Sequence, residues 1–86
     1  MSVDASIKQA KKVAGIKQAT KAVERDLATK VYVAKDVEPK MLAALIALCK
    51  TKGIQVLDTA SKFELGKACG LHTDAAAVAV LKNKLP

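Results

Sequence analysis

Rings are scarce in this 86-residue sequence: besides the single His72 it holds one Tyr, Tyr32, one Phe, Phe63, and no Trp. Half of the residues are apolar but most are Ala, Val and Leu, so any core is built from many small side chains. Cysteine is scarce as well. Cys49 and Cys69 stand 20 positions apart without a CxxC, and His72 is the one further soft ligand, which argues against a zinc site. Both read as small buried hydrophobes. The longest apolar run, Met41 to Cys49, has nine residues, against the roughly 20 needed to cross a bilayer as a helix. No charged start followed by an apolar stretch and a cleavage site is readable. The expectation is a soluble cytoplasmic protein with reduced thiols and no membrane partner.

Signals of catalysis are also missing. There is no GxSxG, HExxH or GxGxxG, and one His in the whole chain. Gly66-Lys67 resembles the end of a phosphate-binding loop, but Ala68 stands where Ser or Thr would hold magnesium and Ser61 where the first Gly belongs. A helix interior is the better reading. Asp36, Glu38, Asp58 and Glu64 each lie beside a turn or cap that accounts for an acid locally. The chain is therefore not expected to be an enzyme, nor to need a metal or cofactor.

What the sequence does have is positive charge. Fourteen Lys and one Arg against eight acids leave a formal charge of +7, which attracts polyanions at long range. On charge alone, nucleic-acid binding and mere solubilisation by lysine stand level. Distribution separates them: residues 1–30 carry seven bases and three acids, residues 31–60 four bases and three acids. The partner face should include the first third.

Hydrophobic spacing then orders the chain. Val3, Ile7, Ala10 and Val13 recur at helical intervals and predict a first helix ended near Gly15. Ile16-Lys17 reads as a short strand, and Ala19, Ala22 and Val23 share one side of a second helix over residues 18–25. Val31 to Ala34 is a buried strand with a turn beginning at Asp36. Glu38 and Pro39 open, and Gly53 closes, the longest helix, residues 39–52. Ile54 to Leu57 is the next strand. Ser61-Lys62-Phe63-Glu64 is a capping box that starts a fourth helix near Lys62, and Gly70 ends that helix in a left-handed cap. The second half of Ala75 to Leu81 is the last strand, and residues 83–86 are expected to fray. Such alternation builds one α/β domain over residues 1–86, a three-layer α/β/α sandwich with a small mixed four-stranded sheet.

Two segments carry candidate binding chemistry. In Gly15 to Lys21 a Gly-permitted turn feeds a helix start that bears Lys17, Gln18 and Lys21, where free amides and cations favour phosphate and the Gln18 amide can both donate and accept at base edges. The plainer reading is an ordinary solvated helix start, and the stretch alone favours it. Leu71 to Ala75 is a loop after the Gly70 cap. Its Leu71 can stack on an extruded base or tuck back as the apolar contact of the cap, and the spacing favours the second. His72 has no catalytic partner and reads as a surface residue.

Three blocks carry a resemblance: Gly15 to Arg25, Val31 to Asp36, and Leu65 to Gly70 with the Ala-rich strand after it. Together, in order and spacing, they resemble the ribosomal protein L-seven-Ae and L-thirty-e superfamily over nearly the whole chain, most closely its short bacterial branch. The resemblance implies an α/β/α sandwich that binds kink-turns in structured RNA, such as ribosomal RNA or a riboswitch, with no cofactor. It implies that Gly15, Ile16, Lys17, Gln18, Lys21 and Arg25 meet the widened major groove at tandem sheared G·A pairs. The loop of Leu71, His72, Thr73, Asp74 and Ala75, with Lys67 just before it, would cover a nucleotide flipped out of the stack. Archaeal relatives resemble this chain less at two places, having Asn and Glu where it has Lys17 and Gln18 and a more apolar loop where it has Thr73-Asp74. Those departures imply recognition that is more electrostatic. A cytoplasmic monomer, with the ribosome as one destination, is expected; the alternative is a protein-interaction module or homo-oligomeric scaffold of the same fold.

Overall fold

Val31, Tyr32 and Val33 are consecutive, and all three are buried. Side chains alternate across a strand, so the sheet that carries them must be covered on both faces. The computed structural model describes residues 11–59, 61–71 and 73–82. Their order is β1 (Lys12–Ala14), α1 (Ile16–Glu24), β2 (Ala28–Ala34), α2 (Pro39–Lys52), β3 (Gln55–Thr59), α3 (Lys62–Ala68) and β4 (Ala77–Leu81). The sheet runs β1-β4-β2-β3, with β2 and β3 parallel and the other pairs antiparallel. It is the mixed four-stranded sheet of the expected three-layer sandwich.

Period-two alternation divides the core. Val31, Val33, Ala77 and Ala79 face one way and meet α1 and α2 through Ala19, Ala22, Val23, Leu42, Leu45 and Cys49. Tyr32, Val78 and Val80 face the other way and meet Leu65 and Cys69 beside α3. Buried Thr59 spends its hydroxyl on the Val33 carbonyl at 3.0 Å, so it carries no unmet polar group into the core.

Caps set the helix limits. Pro39 occupies the first turn of α2, and Gly53 closes it at φ 73, its amide donating to the Lys50 carbonyl. The Glu64 amide donates to Ser61 Oγ at 3.0 Å to start α3. Beyond α3, Gly70 takes φ 76, its amide donates to the Lys67 carbonyl, and the Leu71 amide donates to the Gly66 carbonyl. This paired arrangement is the Schellman end that the Gly predicts.

Two expectations near the N-terminus need correction. Lys12 to Ala14, placed at the end of a first helix, form strand β1, paired antiparallel with Val80, Ala79 and Val78. The free edge of β4 supplies ladder partners there, and that pairing overrides the local helical spacing. Ile16-Lys17 is not a strand but the first turn of α1, because Gly15, at φ 103 and ψ 146, breaks the chain direction immediately before Ile16. The rest of the expected first helix, Val3, Ile7 and Ala10 included, lies outside the described residues, as does the expected fraying of residues 83–86. Strand β2 also begins earlier than its apolar run, at Ala28, across a register shift between Ala28 and Lys30.

Among the described residues no helix is long and apolar enough to cross a membrane. Leu45 is among the largest fully buried side chains, and Leu45→Ala is expected to remove about 2–5 kcal/mol of unfolding free energy in a urea titration followed by circular dichroism. Burial pushes the Cys49 and Cys69 thiols above the ordinary range, with Lys12 acting in the opposite sense at Cys69. For a thiol kept neutral by folding, the unfolded state ionises first as pH rises. Its contribution is therefore full below the unfolded pKa of about 8.5 and declines above it. The urea midpoint should fall across that value, and a Cys49→Ala, Cys69→Ala double variant should lose that part of the decline.

Candidate functional site

Helix α1 begins where β1 ends, and the Gly15 junction is shaped by torsion rather than crowding. Its φ of 103 belongs to glycine, yet a Cβ built there meets nothing within 4 Å. Among the described residues nothing crowds that side of the junction. No side chain caps α1 and no acid stands in its first turn, so its first amides and the positive end of its dipole face that side.

Lys17 and Gln18 are exposed in the first turn and Lys21 in the last, while Ala19, Ala22 and Val23 hold the opposite side against the sheet. Lys17 and Lys21 are one helical step apart, and Gln18 and Lys21 are likewise neighbours. Ile16 is half-buried against the core and accepts the Thr20 hydroxyl on its carbonyl at 2.7 Å, so it anchors the turn. Arg25 stands at the other end of α1, about 13 Å along the axis. It shares a shallow hollow of about 180 Å³ with Val13, Gln18, Lys21, Ala22, Leu27 and Leu81.

The loop after α3 reaches the same end of the sheet through the entry to β4. Ala75 donates its amide to the Lys62 carbonyl (3.1 Å), Ala76 accepts from the Ala34 amide (3.0 Å), and Ala77 accepts from the Gly15 amide (2.8 Å). Three successive residues thus tie the start of α3, the end of β2 and the start of α1 together. Asp36 joins this end by accepting the Lys62 amide on Oδ1 at 2.9 Å.

Within the loop the predicted residues separate. Thr73 and Asp74 are exposed. Leu71 is half-buried and packs towards the Tyr32 and Leu65 cluster, the tucked position that accompanies the Gly70 cap. Ala75 is 3% exposed, so it anchors the loop and offers no side-chain surface. His72 lies outside the described residues. Lys67, in the last turn of α3, holds its Nζ 5.7 Å from the Phe63 ring centroid. A cleft of about 200 Å³ runs between Phe63, Lys67, Leu71, Thr73 and Asp74.

Charge is arranged unevenly about these features. Among the described residues no carboxylate pairs with Lys17, Lys21 or Lys67, whereas Lys52 pairs with Asp26 at 3.0 Å near the other end of α1. No group of three or more potential metal ligands occurs among the described residues. The arrangement can hold a polyanion and enclose a flat ring.

Gly66 is the residue whose role sequence reasoning missed. A Cβ on it would collide with the Thr73 carbonyl oxygen and press on Asp74 Cα, so the missing side chain lets the loop backbone lie against α3. A glycine inside a helical pattern is itself the available signal, since it costs about 1 kcal/mol against Ala unless packing demands it. The Asp36 latch to Lys62 carried no such signal.

Three comparisons bear on this geometry. The sequence pattern of the family described as "Ribosomal protein L7Ae/L30e/S12e/Gadd45 family" matches residues 2–85. An RNA-binding protein of Bacillus pumilus (strain SAFR-032) is 42% identical over 69 residues, which is 80% of this chain and 84% of that protein. One of Halalkalibacterium halodurans is 40% identical over 70 residues, 81% of this chain and 85% of that one. Among solved structures, a Bacillus halodurans protein superposes with a TM-score of 0.83 at 23% identity, over 92% of this chain and 83% of its own, a likeness of fold. The Giardia lamblia 15.5kD RNA binding protein superposes with a TM-score of 0.80 at 31% identity, over 93% of this chain and 66% of its own.

Gly15 and Gly66 are needed for different reasons, and Ala substitutions separate them. Gly15→Ala should cost about 1–3 kcal/mol through its torsion alone. In an open helix Gly66→Ala would stabilise by about 1 kcal/mol; here overpacking should reverse the sign, to a loss of about 1–3 kcal/mol. Urea titration measures both, and amide exchange at Thr73 and Asp74 should rise in Gly66→Ala only.

Proposed function

We propose that this chain, which belongs to the ribosomal protein L7Ae/L30e/S12e/Gadd45 family, is an RNA-binding protein that recognises and stabilises kink-turns in structured RNA. The observation that carries the reading is the junction at the head of the sheet. There the uncapped, lysine-bearing start of α1 and the exposed part of the loop after α3 are fixed side by side through Gly15 and Ala75 to Ala77. The names of the relatives support it, two bacterial proteins and one solved structure being described as RNA-binding.

Regular A-form RNA has a major groove too deep and narrow for side chains, so a helix start can read base edges only where the duplex is distorted. In this reading Lys17, Gln18 and Lys21 enter the groove that the kink widens, Gln18 meeting base edges and the lysines meeting guanine edges or phosphate. Gly15 lets the RNA backbone approach the free amides of α1 without meeting a Cβ. Leu71, Thr73 and Asp74, with the adjoining His72 and the Ala75 anchor, cover the extruded nucleotide, and Lys67 and Arg25 neutralise phosphates at the margins. The natural target is then a kink-bearing ribosomal RNA or a riboswitch-like transcript, met in the cytoplasm by a monomer. No catalytic step and no cofactor enter this scheme.

Titration of the protein into a kink-turn RNA, and into a fully paired RNA of equal length and charge, tests it. The kinked RNA should bind more tightly. Lys17→Ala or Lys21→Ala should reduce that preference, and loss of a phosphate-contacting lysine should flatten the log–log salt dependence by about one unit. Equal, weak binding to both RNAs would reduce the charge to nonspecific attraction and would favour a protein-interaction role.

A further inference from the structure

Phe63 is the chain's one Phe, yet it is 63% exposed on the outer face of α3. In a sequence so poor in rings, leaving this one outside forgoes the apolar burial that a large side chain offers. Among the described residues no structural role accounts for it: Ser61 and Glu64 start α3, and Leu65 and Cys69 bind it to the sheet. Lys67, four residues on, holds its ammonium over the ring. The cleft beside them has Leu71 in its floor and Thr73 and Asp74 in its loop wall.

We propose that Phe63 and Lys67 form a stacking platform for one unpaired guanine of the bound RNA, with the Asp74 carboxylate accepting from the donor edge of that base. The inference rests on the RNA-binding reading above and adds a contact outside the groove-reading start of α1. Every base has a π-face, and an exposed aromatic beside a cation is the usual means of holding an unpaired one. The cleft is smaller than the usual ligand pocket of roughly 300–1,000 Å³ and suits a single flat ring. Asp74 decides the orientation. Its negative charge excludes a phosphate from the loop wall and accepts N–H donors, and guanine presents two adjacent donors, N1–H and the N2 amine, on its Watson–Crick edge. The phosphate then lies towards Lys67, which has no carboxylate partner among the described residues. The cleft's surface is mainly apolar with Lys67 and Asp74 as its charged groups, which suits a flat base carried on an anionic backbone.

The absence of Trp provides a clean probe, because Phe63→Trp introduces the sole indole at an exposed position. Its fluorescence should be quenched by a kink-turn RNA, and it should bind as tightly as the unmodified protein. Phe63→Leu, which keeps bulk but removes the π-face, should weaken binding roughly tenfold. Across kink-turn RNAs that carry guanine at each unpaired position in turn, one position should bind tightest. Asp74→Asn should erase that preference while leaving the Phe63→Trp quench. If the unmodified protein prefers kinked over paired RNA but Phe63→Leu binds it equally well and the indole is unquenched, the platform is wrong and the kink-turn reading stands. If the unmodified protein shows no preference for kinked RNA, both fall.

Discussion

Everything at the proposed RNA-facing end hangs on the backbone of Ala75 to Ala77. Buried amides and carbonyls must be paired, and here each of the three residues pairs with a different element, the start of α3, the end of β2 and the turn before α1. The loop and the helix start, 50-odd residues apart in sequence, are held in one relation by main-chain bonds and not by side chains that a substitution could remove. Small side chains make this possible. Ala77 and Ala79 are fully buried against the layer of α1 and α2, and a larger residue at either would lift α1 and its lysines from the sheet.

How legible this was depends on whether a feature is written locally. Pro39 with Gly53, Ser61 with Glu64 and Gly70 each carry their own turn or cap chemistry, and α2, α3 and the Schellman end lie where those residues predict. The run Val31 to Ala34 likewise marks the second half of β2. Strand β1 is different, because Lys12 to Ala14 become a strand only through the edge of β4, which lies more than 60 residues away in sequence. Ala28 to Lys30 extend β2 for a similar tertiary reason. The α1 lysines and the loop were readable as separate candidates, but their adjacency was not, since the three bonds that create it involve backbone atoms that any residue possesses.

Gly15 and Gly66 divide the work of Gly in opposite senses. Gly15 has room for a side chain and lacks the torsion for one, whereas Gly66 sits in ordinary helical backbone and lacks the room. The first leaves open space in front of free amides; the second lets the Thr73-Asp74 backbone settle on α3 and so shapes the cleft that includes Phe63. A sequence shows both only as helix-adjacent glycines, and a structure is needed to tell a turn requirement from a close approach.

The two ends of α1 show where stability has been placed and where it has been withheld. At its C-terminus Lys52 donates to the Glu24 carbonyl at 3.1 Å and pairs with Asp26 at 3.0 Å, so the negative pole is capped by a cation. At its N-terminus there is no capping side chain and no acid, although Ser, Thr, Asp or Asn at such a position commonly contributes about 1 kcal/mol. Lys17 instead stands in the first turn, at the positive pole, where the dipole disfavours a cation, while Lys21 lies in the last turn. An isolated domain selected for stability alone would reverse that choice. An anion held in front of Gly15 would relieve the unfavourable charge and the unmet amides together, so on the proposed reading the bare start of α1 serves the complex and not the free fold.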